Sequence, residues 1–463
     1  MSANIFTVKR SEIEGRLDPI YYIRKNELVG YKHLKLEKIG KHFFVKDGDH
    51  DKLPDDAVSD ENNGFRYLRA QDLKENKIIS EKPIYVTKKY FESVRRCHIY
   101  PNDLLFSIMA SVGATAVVPK NFSICTANRA VGILRAKDEA VFLPEYVQVV
   151  LNTELGIKLL ELQKRGGIQQ RLNLDDISNL ELPVFDFEKQ RKIIDFYNSA
   201  LSQKEQKQEQ AKELLASIDS YLLSELGITL PQKDNSLSKR IFTTKFSEVT
   251  GGRLDPLYQF NSSFLISTKY EQVKLAEICN SFISGFGAGK ENQTSEINGI
   301  IQIRPTNIDS ECELKFDKNI YIDKNFEGKK IKKTDVLFNN TNSQDLVGKT
   351  AVGESAENMF FSNHITVISI NERIIDSYFL KESLNMLQRH KIFYSICTNW
   401  NNQSGIGIDL LKTVKIPLPP LPKQKEIAEH IRSIRAQAKQ LQAEAEQILQ
   451  AAKHQVEKMI LGE

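Results

Sequence analysis

Cysteine is scarce in this 463-residue chain: the five residues Cys97, Cys125, Cys279, Cys312 and Cys397 are widely scattered, with no CxxC pair and no Cys/His ligand spacing. That excludes a zinc ribbon or a disulfide framework as the organising element. No run reaches the roughly 18 apolar residues of a membrane span, and the N-terminus MSANIFTVKR lacks an apolar signal core. The sequence therefore predicts a cytoplasmic protein with reduced thiols and no membrane partner. Net charge is small as well. With 64 Lys+Arg against 60 Asp+Glu, the balance is +4, so any basic surface has to arise by segregating charge onto one face. Gly and Pro are few, and a composition 41% hydrophobic and 27% charged excludes a disordered chain. At roughly 150 residues per domain, the length implies two to four units.

Catalytic signatures are missing too. GxSxG, HExxH and the kinase motifs do not occur, and the eight histidines form no acid–base constellation. The segment SGFGAGKENQTS approaches a phosphate loop and fails on spacing. Lys290 stands where the dinucleotide fingerprint needs Gly, and Ser284 and Glu291 stand where the P-loop needs Gly and Ser or Thr. An amino-methyltransferase acting on DNA bases would carry an Asp/Asn-Pro-Pro-aromatic tetrapeptide to polarise the target amino group. Here Pro419-Pro420 lies in LPPLP, with no polar residue before it and no aromatic after it. No PD…ExK nuclease arrangement is found either. Binding is favoured over catalysis, and no cofactor is expected on the chain itself.

What is present is a duplication. GRLDPIY at 15–21 recurs as GRLDPLY at 252–258, PNDLLF at 101–106 as KTDVLF at 333–338, and VGATAV at 112–117 as VGKTAV at 347–352. Asn128-Arg129 lines up with Asn363-His364, and LPVFDFEKQRKI from Leu182 with IPLPPLPKQKEI from Ile416. Order is kept at a near-constant offset of about 235 positions, the mark of tandem copies diverged in their loops.

Each copy changes period once. Short β-branched and aromatic runs such as KPIYV, AVGILR, KNIYI and ITVISI alternate with turn residues and predict a mixed α+β globule. After a Pro-marked exit, both copies become long runs free of Pro and Gly that end at Gly227 and Gly462. In the second run Ile427, Ile431, Ile434, Ala438, Leu441, Ala445, Ile448 and Ala452 form a coiled-coil seam. The first carries Ile194, Tyr197, Leu201, Ala211, Leu215, Ile218 and Leu222, with a polar waist SQKEQKQEQ at 202–210. The predicted fold is thus α+β, with globules at 1–186 and 231–420 separated by helices at 187–230 and 421–463 that pack antiparallel about a pseudo-twofold axis. A helix of about 40 residues is roughly 60 Å long. The duplicate supplies the obvious second strand of the coil, and homodimerisation is the alternative.

A globule ending in xPLPPLPxQKxIAxxI, at 416–431 and echoed at 182–194, followed by a long amphipathic helix and present twice, resembles the DNA-specificity subunits of type I restriction-modification enzymes over essentially the whole chain. The first copy departs from it, with Val184-Phe185-Asp186-Phe187 in place of the second half of LPPLP, which predicts a differently packed boundary. The resemblance implies two target-recognition domains, each reading one half of a bipartite site in double-stranded DNA. It also implies two methyltransferase subunits that bind S-adenosylmethionine and modify adenine, and optional restriction subunits with translocation activity. Those cofactors belong to the partners.

Phosphate contacts position and base contacts specify, so the candidate readers are Arg, Asn, Gln and Ser on loops. Arg69 in YLRAQDL and Arg304 in QIRPTNI occupy matching places after an apolar strand, and a salt bridge within each domain is the other reading. Ser107 and Ser111 in SIMAS correspond to Asn339, Asn340, Thr341, Asn342, Ser343 and Gln344, one site in the duplicate with entirely different residues. Base-edge readout suits them; a solvated turn is the alternative. A third pair of blocks holds Arg165, Gln169, Gln170 and Arg171 in the first copy, and Asn401, Asn402, Gln403 and Ser404 in the second. Trp400, the only tryptophan, is read as a core residue rather than an intercalator. The clusters Lys88-Lys89, Arg95-Arg96, Lys329-Lys330 and Lys332-Lys333 suit phosphates or a solvated face.

Overall fold

The computed structural model describes residues 33–109, 112–163, 172–229, 241, 243, 268–400 and 403–462. The two GRLDP segments lie outside them. Two compact units form, one from the described residues of Met1–Glu209 with Leu441–Glu463, the other from those of Gln210–Gln440.

In the first unit an antiparallel sheet is ordered Phe43–Asp47, Val131–Ala136, Leu104–Ser107, Thr115–Val117. Leu104–Ser107 is buried throughout because both its faces are covered. Leu104, Phe106 and Leu134 join Tyr146 and Val147 of helix Pro144–Leu151, and Ile193 and Tyr197 of a long helix. Leu105, Val131 and Ile133 join Leu68 and Ala127 of a second sheet. The period of two along each strand sorts the side chains between these clusters.

The second unit repeats the plan. Its sheet is ordered Cys279–Ser284, Ile365–Ile370, Val336–Asn339, Thr350–Val352. Val336, Phe338 and Ile368 pack with Phe379, Leu380 and Leu384 of helix Ser377–Arg389. Leu337, Ile365 and Val367 pack with Ile303 and Phe361 of the second sheet. Duplicated sequence is duplicated structure, down to one parallel pair in each second sheet, Tyr67 beside Thr126 and Gln302 beside Phe360.

The Pro-marked exits close each globule. Leu36–Lys38 pairs with Glu181–Pro183, and Gln272–Lys274 with Lys415–Pro417, both antiparallel. The long helices then run over Phe187–Leu226 and Leu421–Leu461. Each stops before a glycine with left-handed backbone, Gly227 at φ 60° and Gly462 at φ 79°, a conformation open to a residue without Cβ.

The helices pair antiparallel within each unit, so the seam closes inside one chain. In the first unit Lys204 lies 3.9 Å from Glu446, and Lys207 bonds Glu444. These are charges of the polar waist, which explains its composition. In the second unit Lys423 bonds Glu225 at 2.7 Å, and the Tyr221 ring lies 4.2 Å from His430. One seam position shifts from the sequence reading. Leu449 is buried in place of Ile448, followed by Ala452, Val456 and Ile460. The apolar stripe therefore drifts with the 3.6-residue period of an α-helix instead of holding strict heptads.

A glutamine clamps each helix start to its globule. Gln190 Nε2 donates to the carbonyls of Val141 (2.6 Å) and Phe185 (2.8 Å), and its Oε1 accepts from the Leu143 N–H (2.9 Å). Gln424 Nε2 donates to the carbonyls of Ile374 and Pro419, and its Oε1 accepts from the Asp376 N–H, all at 2.9 Å. The two clamps match bond for bond, so the divergent VFDF stretch leaves this part of the boundary packed as in the second copy. The physical reason is that Phe185 and Pro419 both serve through a main-chain carbonyl, which any residue supplies. Gln424→Leu leaves three backbone groups, one buried and two part-buried, without this partner and is expected to lower stability by about 2–3 kcal/mol. Urea unfolding of the full chain measures this, and a loss within about 0.5 kcal/mol, the size of an ordinary surface substitution, would contradict the clamp.

Candidate nucleic-acid interface

Two blocks far apart in the second copy meet on one surface. Beyond the buried strand Val336–Asn339, the chain forms Thr341–Asn342, which pairs antiparallel with Gln403–Gly405; Gln403–Gly405 pairs in turn with Thr398–Trp400. A polar three-stranded sheet results.

Its side chains divide by burial. Asn339 is fully buried, and its Nδ2 donates weakly to the Leu346 carbonyl at 3.4 Å while Oδ1 has no partner. Asn340 is buried and satisfied: Nδ2 donates to the Asn363 carbonyl (3.2 Å) and to Thr366 Oγ1 (2.8 Å), and Oδ1 accepts from the Thr341 hydroxyl (2.8 Å). Ser404 is buried and donates to Asn399 Oδ1 at 2.6 Å. These residues shape the surface from below. Those facing outward are Asn342, Ser343, Gln344 and Gln403, half-buried or exposed. Asn342 Oδ1 accepts from the Ser343 N–H (2.8 Å), and Gln344 Nε2 donates to the Tyr394 carbonyl (2.9 Å). The Asn342 Nδ2 and the Gln403 amide have no partner among the described residues.

Arg304 connects to this surface. Its Nε and Nη2 donate to Gln302 Oε1 (3.1 and 3.0 Å), and Gln302 Nε2 donates to the Phe286 carbonyl, which also accepts from the Asn363 N–H. Burial pulls the Arg304 guanidinium below its usual pKa. It has no carboxylate partner among the described residues. Arg69 occupies the same place in the first unit: each arginine donates its backbone N–H to the side chain three residues on, Asp72 or Asn307. Arg69 differs in lying 3.5 Å from Asp72 and donating to the Lys82 carbonyl at 3.1 Å. An internal ion pair thus holds for Arg69, and none is found for Arg304 among the described residues.

In the first unit Ser107 is fully buried and donates to the Met109 carbonyl (2.9 Å), so it shapes the bend after its strand. Backbone bonds make Ile108 the counterpart of Asn340: Ile108 and Asn340 donate to Ala130 and His364, and accept from Leu172 and Ile406. An apolar residue in one copy stands where the other has an amide. Ser111, Arg165, Gln169, Gln170, Arg171, Asn401 and Asn402 lie outside the described residues. Of the basic clusters, Arg96 is engaged by Asp47 (3.1 Å) and Lys333 by Glu354 (3.3 Å), while Lys89, Arg95, Lys329, Lys330 and Lys332 are exposed.

The glycine loop forms no phosphate cradle, since Lys290–Asn292 is a single 3-10 turn with no helix behind it. Trp400 corrects the sequence reading, being 47% exposed at the end of its strand instead of in a core. Thr398 and Asn399 share its exposed strand and were not singled out from the sequence; the alternation of small and amide residues in TNWNNQSG is the signal that marks a hairpin there.

Residues 44–216 and 267–450 match the family described as the type I restriction modification DNA specificity domain, and the chain belongs to that family. A stretch of 95 residues is 37% identical to the MjaX specificity subunit of a type I restriction enzyme from Methanocaldococcus jannaschii, covering 20% of this chain and 22% of that protein. A solved chain, from work on complex assembly and conformational transition of the type I R-M system, covers 92% of this chain and 97% of its own length, with 16% identity and a TM-score of 0.54. That likeness is one of fold. No helix among the described residues is long and apolar enough to cross a membrane.

Proposed function

We propose that this chain is the sequence-specific DNA-binding subunit of a type I restriction-modification complex, working in the cytoplasm. Each unit reads one half of a bipartite site, and the chain scaffolds two adenine methyltransferase subunits that carry S-adenosylmethionine. Restriction subunits join the same assembly in the restricting form. The observation that carries this reading is the outward amide surface of the second unit, where Asn342 Nδ2 and the Gln403 amide have no partner among the described residues and Arg304, linked through Gln302 to the Phe286 carbonyl, has no carboxylate partner among them. Asn and Gln amides match the donor–acceptor edge of adenine in the major groove, and Arg that of guanine or a phosphate. Arg69, Ser107, Asn339, Asn340, Thr341 and Ser404 serve the same surfaces by shaping or supporting them; Ser343 and Gln344 line the outer edge.

The test is binding of the purified chain to duplex DNA across a salt series, with methyl transfer assayed in parallel. For about six phosphate contacts, affinity is expected to fall roughly a thousand-fold between 50 and 200 mM salt. Methyl transfer is expected only after the cognate modification subunit is added. Salt-independent binding, or methylation by the chain alone, would overturn the proposal.

A further inference from the structure

Trp400 is not used by the polar readout just described. It is the single tryptophan in 463 residues, and it lies at the tip of a strand exposed at all three positions. Its seat is specific. The six-membered ring meets the neighbouring strand at Gly405, where an added Cβ would fall 2.4 Å from Cη2 and 3.2 Å from Cζ3. Only glycine at 405 leaves room for the indole in this position. The ring also walls a cleft of about 190 Å³ shared with Ser284, Asn340, Thr341 and Asn363. A large apolar ring held in place by a glycine, yet half in water and bordered by amides, is the composition of a contact surface and not of a core edge.

We infer that Trp400 is a DNA-contacting residue whose indole packs against a deoxyribose or a base face. This rests on the DNA-reading function proposed above and adds to it. The amides around the ring distinguish bases by hydrogen bonds; the ring supplies apolar contact and fixes how closely the hairpin approaches the duplex. Neither role involves phosphate, so the contribution of Trp400 is independent of salt.

Because there is one tryptophan, its emission reports this position alone. The full chain is titrated with a duplex recovered by selection from a randomised pool, while the anisotropy of the labelled duplex gives affinity independently. Saturation is expected to lower acrylamide access to the indole. Quenched emission marks stacking on a base, and a blue shift without quenching marks packing on sugar. Trp400→Ala is expected to weaken binding by about ten-fold with an unchanged salt slope, and Trp400→Phe to retain most of the affinity. Gly405→Ala, which unseats the ring without removing it, is expected to behave like Trp400→Ala. If anisotropy reports binding while emission and acrylamide access stay unchanged and Trp400→Ala binds as the parent does, the inference is overturned and the DNA-reading function stands. Emission that changes with chain concentration in the absence of DNA would place the ring between copies and overturn it as well. Failure to bind any selected duplex would overturn both.

Discussion

Arg435→Leu is expected to destabilise the second unit by about 3–5 kcal/mol, the largest effect of any single substitution considered. Arg435 grips the buried Glu382 through two bonds, Nε to Oε1 at 3.1 Å and Nη2 to Oε2 at 3.0 Å, and its Nη1 donates to the Glu311 carbonyl at 2.8 Å. Lys381, only 1% exposed, bonds Glu313 and lies 3.4 Å from Glu382. Burial alone would push the Glu382 carboxyl up, but the Lys381 and Arg435 charges beside it hold it below the usual carboxylate range. Removing Arg435 strips the buried carboxylate of both these hydrogen bonds and leaves it only Lys381, which it shares with Glu313. The first unit shows an apolar solution at the same places. Val149 precedes Asn152 as Glu382 precedes Asn385, and Leu201 follows Gln190 as Arg435 follows Gln424; Val149 belongs to the first unit's core cluster and the half-buried Leu201 packs against it. The double variant Glu382→Val/Arg435→Leu copies that pair and is expected to lie within about 1 kcal/mol of the parent. Urea unfolding of the three full-length chains decides the matter: a single variant as mild as the double would mean that the charges are not coupled.

The duplication was legible because it needs only order and spacing, and five matched blocks supply both. The long helices were legible because Pro and Gly vanish between the exits and Gly227 and Gly462. The candidate surface was legible only in parts. Asn339–Gln344 and Gln403–Ser404 were each visible as polar runs, but the pairing of Thr341 with Gly405 that joins them is a contact between strands of two or three residues, too short to carry a period. Ser107 reads as a polar loop residue and is buried, because what covers it comes from elsewhere in the chain. Helix Ser377–Arg389 is covered by a sheet on one side and by long-helix residues on another, so the Lys381 and Glu382 charges must pair inside. Trp400 was misread for the converse reason: composition places a lone tryptophan in a core, and only the Gly405 seat shows that this ring is held at the surface.

Exchange of one globule is expected to change one half of the recognised sequence and leave the other half untouched. Each unit has its own two-sheet core and its own glutamine clamp, whose bonds to the globule run through main-chain groups, so a globule with the same backbone can be exchanged without losing the clamp. Mismatched base pairs cost about 1–3 kcal/mol each and nearly add when well separated, so a half-site of even a few base pairs is discriminated by a thousand-fold or more. The direct measurement replaces residues 268–417 with the corresponding globule of a family member that reads a different site. The methylated adenines produced with the cognate modification subunit are then mapped by sequencing. Two readers predict a new second half-site beside the original first half-site; methylation in which both halves change together, or neither does, would contradict them.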